Sequence, residues 1–285
     1  MEPINQKQHR ISQVYLKQFG YKKNDKYWLS VLKIGSGITE NVLISNFTAE
    51  TNIFDLPVDD FEIKRYFENL SSEVENFYRT VISNLHNQKR ITPKDKDVIN
   101  HFVANLLCKT LPFRNFIEDL LNDDITRNHL IDEVTLFSKD TEPNKIILDY
   151  FGKDFQLNVF IGTVMNHLVY VFRHFKKVII KDYQNHGWIS SDNPVFIYRQ
   201  GNHEWLVPIE AEIYLPLSRD FCLFMYHPDS EMNSNLLRNL RIEKVNTISF
   251  EKFEEISLKI GRNFHEYLIF CKETEPTLIK LIDNK

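Results

Sequence analysis

The fold is decided by residues 155–180, which have the sequence FQLNVFIGTVMNHLVYVFRHFKKVII. Residues 155–175 repeat apolar side chains at helical spacing, with polar residues such as Asn158 and Asn166 between them. The run Val178-Ile179-Ile180 follows at once, and β-branched residues favour strands. The stretch therefore marks the change from a helical first part to a strand-rich second part.

Helical patterns dominate the residues before this boundary. Apolar side chains recur at helical spacing from 67 to 85, and Thr92, Pro93 and Asp95 predict the cap, first turn and dipole partner of the next helix. Pro112 ends or kinks that helix. A short first helix follows Ser12, which we expect to cap it.

Short strand-like runs dominate the residues after the boundary. They predict strands, together with a helix over 232–260 that breaks near 247–249; the strand runs are 188–190, 195–198, 213–217, 221–226 and 267–270. The segregation predicts an α+β fold, with a helix-rich first half packed on a mostly antiparallel sheet formed largely by the second half. We expect a single globular domain over 1–285: a helical part at about 60–175, a sheet-rich part at about 176–230 joined by the N-terminal strand 27–34, and a C-terminal helix and strand at 232–272.

Composition limits the classes of function. The chain has 285 residues, 42% of them hydrophobic, and a net charge of −4, so no basic field covers the whole molecule. A local basic patch that binds nucleic acid or a nucleotide stays an alternative. Cys108, Cys222 and Cys271 stand singly, which indicates reduced thiols and a cytoplasmic protein. Polar residues interrupt 155–175, so we expect a core helix there and no membrane partner.

Two signatures stand far apart in the chain. The first is His9-Arg10-Ile11-Ser12-Gln13-Val14-Tyr15-Leu16 with Phe19, and the second is Trp188-Ile189-Ser190-Ser191-Asp192-Asn193-Pro194-Val195. Each sets polar side chains within an apolar frame, where polar groups need specific partners. We expect the first helix and the turn near position 192 to come together around one shared hollow.

Both signatures resemble the uncharacterised, mostly bacterial family called domain of unknown function 4238. The resemblance includes further short motifs, namely Ser45-Asn46-Phe47-x-Ala49-Glu50, Phe54, Glu75, Pro112-x-Arg114 and Leu215-Pro216-Leu217-Ser218. Two residues depart from the family pattern. Ser12 replaces the usual proline, and Lys109 stands where the resemblance implies an arginine, although a lysine lacks the two-point grip of a guanidinium on an anion.

Asp192 is the first candidate for chemistry. Ser191, Asp192 and Asn193 precede Pro194 between two strand-like runs, so a structural turn is one interpretation. The other is that the turn presents the Asp192 carboxylate as a catalytic group, with Ser191 and Asn193 binding substrate.

His9 and Glu75 are the other candidate catalytic residues. His9 suits acid or base chemistry or a structural hydrogen bond, and Gln13 lies one helical turn further on, where we expect it to bind substrate. Glu75 either joins the site or forms a surface ion pair with Arg79, four residues along the helix.

The remaining candidates are substrate ligands. Asn46 and Glu50 follow a weak strand, and Arg114, with Lys109, either borders the Pro112 kink or clamps a phosphate or carboxylate. The sequence contains no standard metal motif, and an oxygen-rich Mg²⁺ or Mn²⁺ site from Asp192, Glu75 and Glu50 is the metal alternative.

Two functions are consistent with these residues. One is a hydrolase, with a metal-assisted phosphodiesterase or nuclease of a bacterial defence or toxin-like system as its most concrete form. The other is a non-catalytic binding or interaction module in which both signatures are structural.

Overall fold

The structure is a computed structural model. It describes residues 5–136, 141–182, 184–199, 206–230 and 240–271, together with Thr274 and Ile282. Its helices are α1 (Gln13–Leu16), α2 (Phe61–Lys64), α3 (Tyr66–Gln88), α4 (Pro93–Lys109), α5 (Leu111–Asn122), α6 (Asp124–Leu136), α7 (Thr141–His174) and α8 (Phe250–Gly261). Its strands are β1 (Lys7–His9), β2 (Tyr21–Lys23), β3 (Lys26–Lys33), β4 (Ile38–Leu43), β5 (Ala49–Thr51), β6 (Lys176–Asp182), β7 (Ser190–Ser191), β8 (Phe196–Tyr198), β9 (Glu212–Pro216), β10 (Cys222–Tyr226), β11 (Val245–Ile248) and β12 (Tyr267–Phe270).

The predicted α+β class is confirmed, but the described strands divide between two five-stranded sheets and a two-stranded ribbon. One sheet has the order β11-β6-β10-β9-β8, and the other has the order β2-β3-β12-β7 with β4 also paired to β3. Strands β1 and β5 form the antiparallel ribbon. All described pairings are antiparallel except that of β11 with β6. The N-terminal strand β3 pairs with β12 of the second half, which in turn pairs with β7. The local sequence pattern predicts a strand but does not say which strand it pairs with, because that depends on packing.

Alternate residues of the central strands enter two different hydrophobic clusters. Ile179 belongs to the larger cluster, which includes residues of α1 and α3–α7, whereas Val178 and Ile180 belong to a smaller one with α8. Both faces of the sheets are therefore covered. This double burial explains why the strands appear in the sequence as continuous apolar runs.

The start of α4 forms as the sequence predicts. Thr92 Oγ1 accepts the Asp95 N–H at 3.2 Å, and the Asp95 carboxylate accepts the Thr92 N–H at 2.8 Å, which completes a capping box with Pro93 in the first turn. Helix α4 ends at Lys109, and α5 begins directly after Thr110.

Three local predictions differ from the structure. Ser12 precedes α1, but its side chain makes no cap hydrogen bond. Residues 245–248 form β11 and do not belong to a helix, because they pair with buried strand β6; residues 232–239 of that predicted helix lie outside the described residues. The helix through 155–175 begins earlier, at Thr141, with a kink at Gly152, whose φ of 76° favours glycine.

Helix α7 also bears on the expectation about membranes. Its stretch Gly152–His174 is long and apolar enough to cross a bilayer by length and composition, and half of its most apolar window is buried inside the structure. A core helix satisfies the same criteria, so the stretch is only weak support for a membrane span.

Candidate functional site

Tyr15 of α1 and Ser190 of β7 connect the two signatures. The Tyr15 hydroxyl lies 2.7 Å from Ser190 Oγ, and both side chains are fully buried. Burial raises the pKa of Tyr15 far above its usual value, so the hydroxyl keeps its proton. The two stretches therefore meet inside the molecule through a buried hydrogen bond.

The Asp192 carboxylate holds the chain that enters β12. Its Oδ1 accepts the backbone N–H of His265 at 2.8 Å. Its Oδ2 accepts those of Glu266 at 2.8 Å and Tyr267 at 3.2 Å. Burial raises the pKa of Asp192, and the three amide hydrogen bonds act in the opposite direction. One carboxylate therefore accepts hydrogen bonds from three consecutive backbone N–H groups, those of residues 265–267.

Ser191 and Asn193 bind the same loop at Asn263. Ser191 Oγ donates to the Asn263 carbonyl at 2.7 Å and accepts the Asn193 N–H at 3.1 Å. The Asn263 side-chain amide donates to the carbonyls of Asn193 at 2.7 Å and Val195 at 2.9 Å. The polar groups of the second signature are thus used within the protein, by a loop about seventy residues further along the chain.

His9 lies at the end of β1 with 9% of its surface exposed. Its Nε2 lies 3.3 Å from the Ser45 carbonyl, and its Nδ1 lies 3.5 Å from Gln13 Nε2. Because a carbonyl only accepts, the proton belongs on Nε2, which leaves Nδ1 as a base. Burial lowers the pKa of His9 and favours this neutral form, while the Ser45 hydrogen bond and the Glu68 charge oppose the shift.

Glu75 is half-buried in α3 and turns toward the first signature. Burial raises the pKa of its carboxyl, and the Lys109 charge and the Ser12 hydroxyl act in the opposite direction. Ser12 Oγ is buried without a hydrogen-bond partner at normal distance, yet it lies close enough to Glu75 to favour the charged form. The predicted surface ion pair with Arg79 does not form in the described part of the chain, because the Glu75 side chain points inward.

Lys109 of α4 completes this group. Its Nζ lies 3.3 Å from Glu68 Oε2 and 4.2 Å from the centroid of the Phe54 ring. The contact with Glu68 is made at one point, which an ammonium group can supply. A lysine can therefore fill the position where the family resemblance implies an arginine. Charges on Lys109 and Glu68 act on both His9 and Glu75. We call these residues the polar cluster: His9, Ser12, Gln13, Glu68, Glu75 and Lys109.

Arg114 packs against the same Phe54 ring as Lys109 of the polar cluster. Its Nη1 donates to Asn158 Oδ1 at 3.1 Å, and its Cζ lies 5.2 Å from the centroid of the same Phe54 ring. The buried Phe54 ring therefore makes cation–π contacts with two buried cations, Lys109 and Arg114.

A buried network that the sequence did not suggest fixes the position of β1. Gln8 is fully buried; its Nε2 donates to Asp55 at 2.5 Å, and its Oε1 accepts the Phe54 N–H at 2.7 Å. Arg65 forms an ion pair with Asp55 at 2.8 Å. The network places His9 and Phe54, and nothing in the polar stretch Lys7-Gln8-His9 indicates that Gln8 faces inward.

Glu50 and Asn46 lie at the rim of this region. Glu50 forms an ion pair with Arg10, and Asn46 Oδ1 accepts from Lys7 Nζ at 2.9 Å. Arg10, Asn46 and Asp192 line a cleft of about 330 Å³, which we call the Arg10 cleft.

The expected single hollow is therefore two sites. His9, Gln13 and Glu75 come together in the polar cluster, whereas Asp192 and Asn46 line the Arg10 cleft, whose walls do not include His9 or Glu75. Sequence reasoning missed Glu68 and Arg10. The only signal for Glu68 was its place on the same helix, seven residues or about two turns before Glu75.

The residues that the structure describes include no set of ligands for the expected Mg²⁺ or Mn²⁺ ion. Asp192, Glu75 and Glu50 have different neighbours, and no group of three His, Cys, Asp or Glu side chains there is arranged to hold an ion. Asp192 is instead bound by backbone amides and Glu50 by Arg10.

These features define an α+β protein with the polar cluster on one side and the open Arg10 cleft on the other as its two candidate sites. The chain belongs to the family described as Protein of unknown function (DUF4238), whose sequence profile matches residues 7–269. Among curated proteins and among solved structures, none matches the chain.

Proposed function

We propose that the chain is a hydrolase whose proton transfers are made by the polar cluster. The observation that carries the proposal is that the Lys109 and Glu68 charges act on both His9 of β1 and Glu75 of α3, with His9 Nδ1 unprotonated. Burial favours the neutral forms of both His9 and Glu75, which gives one site a base and an acid at the same pH.

The roles follow from the protonation states. His9 Nδ1 takes a proton from the attacking water, whose oxygen bonds to the substrate's electrophilic centre. The Glu75 carboxyl donates its proton to the leaving group as that bond breaks, and proton exchange with solvent resets both residues. Lys109 stabilises the negative charge that develops between them.

Phosphate esters are the substrate class that the surrounding cations favour, because Lys109, Arg10 and Arg114 lie nearby. A metal-assisted mechanism, a role in a bacterial defence or toxin-like system and the binding of nucleic acid stay predictions. We also propose a cytoplasmic location, which the three buried free cysteines Cys108, Cys222 and Cys271 support.

Activity on generic chromogenic substrates tests the proposal. We expect hydrolysis of p-nitrophenyl phosphate or bis-p-nitrophenyl phosphate, with a bell-shaped dependence of kcat/KM on pH. His9→Gln removes the acidic limb and Glu75→Gln the alkaline limb, and each lowers the rate by about 100-fold or more. Glu73→Gln, which changes an exposed carboxylate on the same helix, is the matched control and keeps the wild-type rate.

NMR titration provides a second test that needs no substrate. We expect the pKa of His9 below the usual histidine value and that of Glu75 above the usual glutamate value. Ordinary pKa values for both, or full activity in a folded Glu75→Gln protein, would remove the basis of the proposal.

A second candidate function is the non-catalytic binding module. The full use of Asp192, Ser191 and Asn193 in hydrogen bonds within the protein favours it. The module predicts that the wild type hydrolyses none of these substrates and that His9→Gln and Glu75→Gln lower stability.

A further inference from the structure

Lys177 is a buried lysine that is held by backbone carbonyls. It is the second residue of β6 and is 3% exposed. Its Nζ donates to the Phe172 carbonyl at 2.7 Å and to the Phe175 carbonyl at 2.9 Å, and no carboxylate of the described residues lies within ion-pair distance of it. A buried ammonium without a carboxylate is costly, because the ion loses its hydration without full compensation. A neutral amine has two N–H groups, which match the two carbonyls and leave the nitrogen lone pair unused.

The groups around Lys177 favour the neutral amine. Burial, and then the Lys96 charge, lower the pKa of Lys177 to about 7. The Lys176 charge acts in the same direction, and the Glu243 and Asp97 charges oppose it. A lysine that is desolvated and lies near other cations is activated as a nucleophile.

Lys177 forms part of the wall of a cleft, which we call the Lys177 cleft. The cleft has a volume of about 240 Å³ and lies where the end of α7 and the start of β6 meet α4. Besides His174, its ionisable wall residues are Lys96, Asp97, Arg173, Lys176, Lys177 and Glu243. The nucleophile therefore belongs to a cavity that is large enough for a small molecule.

Both carboxylates of the Lys177 cleft are paired with cations of the same cleft. Lys96 Nζ lies 2.7 Å from Glu243 Oε1, and Arg173 Nη2 lies 3.5 Å from Asp97 Oδ1. Lys176 has no carboxylate partner among the described residues. The walls therefore stay net positive even when the buried amine is neutral, which favours a ligand that carries a negative charge.

Asn100 of α4 adds an unused polar group to the same cleft. It is 3% exposed and lines the cleft, and its Oδ1 is buried without a hydrogen-bond partner in the part of the chain that the structure describes. Buried polar atoms are normally satisfied, so an unsatisfied one in the wall of a cleft indicates a donor on a bound molecule. A hydroxyl group would satisfy it.

We infer that Lys177 forms a reversible imine with a small aldehyde that carries a negatively charged group and binds in the Lys177 cleft. The Nζ lone pair attacks the carbonyl carbon, and the carbonyl oxygen leaves as water with the two amine protons, so that a C=N bond replaces the C=O bond. Protonation of the imine restores one N–H for a backbone carbonyl, and Lys176 attracts the charged group. The Lys177 cleft shares no residue with the polar cluster or the Arg10 cleft, so the inference does not depend on the proposed function.

Reductive trapping tests the inference. The whole chain is incubated with pyridoxal 5′-phosphate, an aldehyde that carries a phosphate and a hydroxyl group, and the imine is reduced with sodium cyanoborohydride. Peptide mass spectrometry then locates the adduct. We expect a single adduct, on Lys177, and labelling by pyridoxal, which lacks the phosphate, that is slower by about tenfold or more.

The pH dependence and two variants sharpen the test. We expect the labelling rate to rise with pH through about 7 and then to level off, because only the neutral amine reacts. Lys177→Arg abolishes the adduct. Lys26→Arg, the same change at an exposed lysine of β3, keeps both the adduct and its rate.

Three outcomes overturn the inference. They are an unlabelled Lys177 in the folded wild type, labelling that is spread over exposed lysines, and equal rates for pyridoxal and its phosphate. The first would leave Lys177 with only its structural role at the end of α7. Because the adduct is located in the wild type, the decision stands even if Lys177→Arg does not fold.

Discussion

The polar cluster and the second signature look alike in sequence, since each places serine, carboxylate and amide side chains in an apolar frame. In the structure the second signature makes a closed set of hydrogen bonds, with three backbone amides on Asp192 alone. The polar cluster keeps His9 Nδ1 and the Glu75 carboxyl only weakly engaged. The difference teaches that a buried polar residue with unused hydrogen-bond donors or acceptors is a candidate for catalysis or binding. A buried polar residue whose donors and acceptors are all used within the protein is a candidate for a structural role.

The largest expected effect on stability comes from the second signature. Asp192→Ala leaves three backbone N–H groups without their acceptor, so we expect a loss of about 3 kcal/mol in the free energy of unfolding and about 6 °C or more in Tm. Urea unfolding measures it, with Asp119→Ala, an exposed carboxylate on α5, as the control at under about 0.5 kcal/mol. A stable Asp192→Ala protein that has lost its activity would reverse the comparison and give Asp192 a chemical role.

A smaller effect is expected where the two signatures meet. Tyr15→Phe leaves the buried Ser190 hydroxyl without its partner and is expected to cost about 1–2 kcal/mol. Ser190→Ala in the same protein removes that unpaired group. A double-mutant cycle should therefore show a coupling energy of about 1 kcal/mol, and additive single effects would mean that the hydrogen bond does not join the segments.

The smallest effect, and one of opposite sign, is expected in the polar cluster. The folded-state pKa of Glu75 is raised, so the stability that its protonated form contributes is present at low pH and lost as the pH rises through that pKa. Glu75→Gln does not titrate, and it should match the wild type near pH 4 and exceed it at pH 8 by under about 1 kcal/mol. Glu73→Gln should show no such divergence, and a Glu75→Gln protein that is less stable at pH 8 would place Glu75 with the scaffold.

Much of the local structure was predictable because it depends on neighbours in sequence. The Thr92–Asp95 capping box follows from helical spacing. The turn interpretation of Asp192 also followed from local residue types, although its three amide partners lie more than seventy residues away.

The composition of the site was less predictable. Glu75 was ambiguous because a helix flank can face solvent or a neighbour, and only the position of α1 turns it toward Ser12. Ser12 itself was expected to cap α1, which local spacing allows, but it points toward α3 instead. Glu68 and Arg10 were missed because a charged side chain on a helix flank or beside a strand can face solvent, and only their tertiary partners Lys109 and Glu50 show otherwise.

The sequence by itself determined the α+β class, the family and most helix starts, because periodicity and capping act over a few residues. Only the tertiary structure decided that the strands form two sheets, that Asp192 holds a loop, and that the Lys109 charge acts on both His9 and Glu75. These outcomes depend on contacts between distant segments and on the loss of water around them. That desolvation, which no local pattern records, sets both the hydrogen-bond partners and the pKa values of the site.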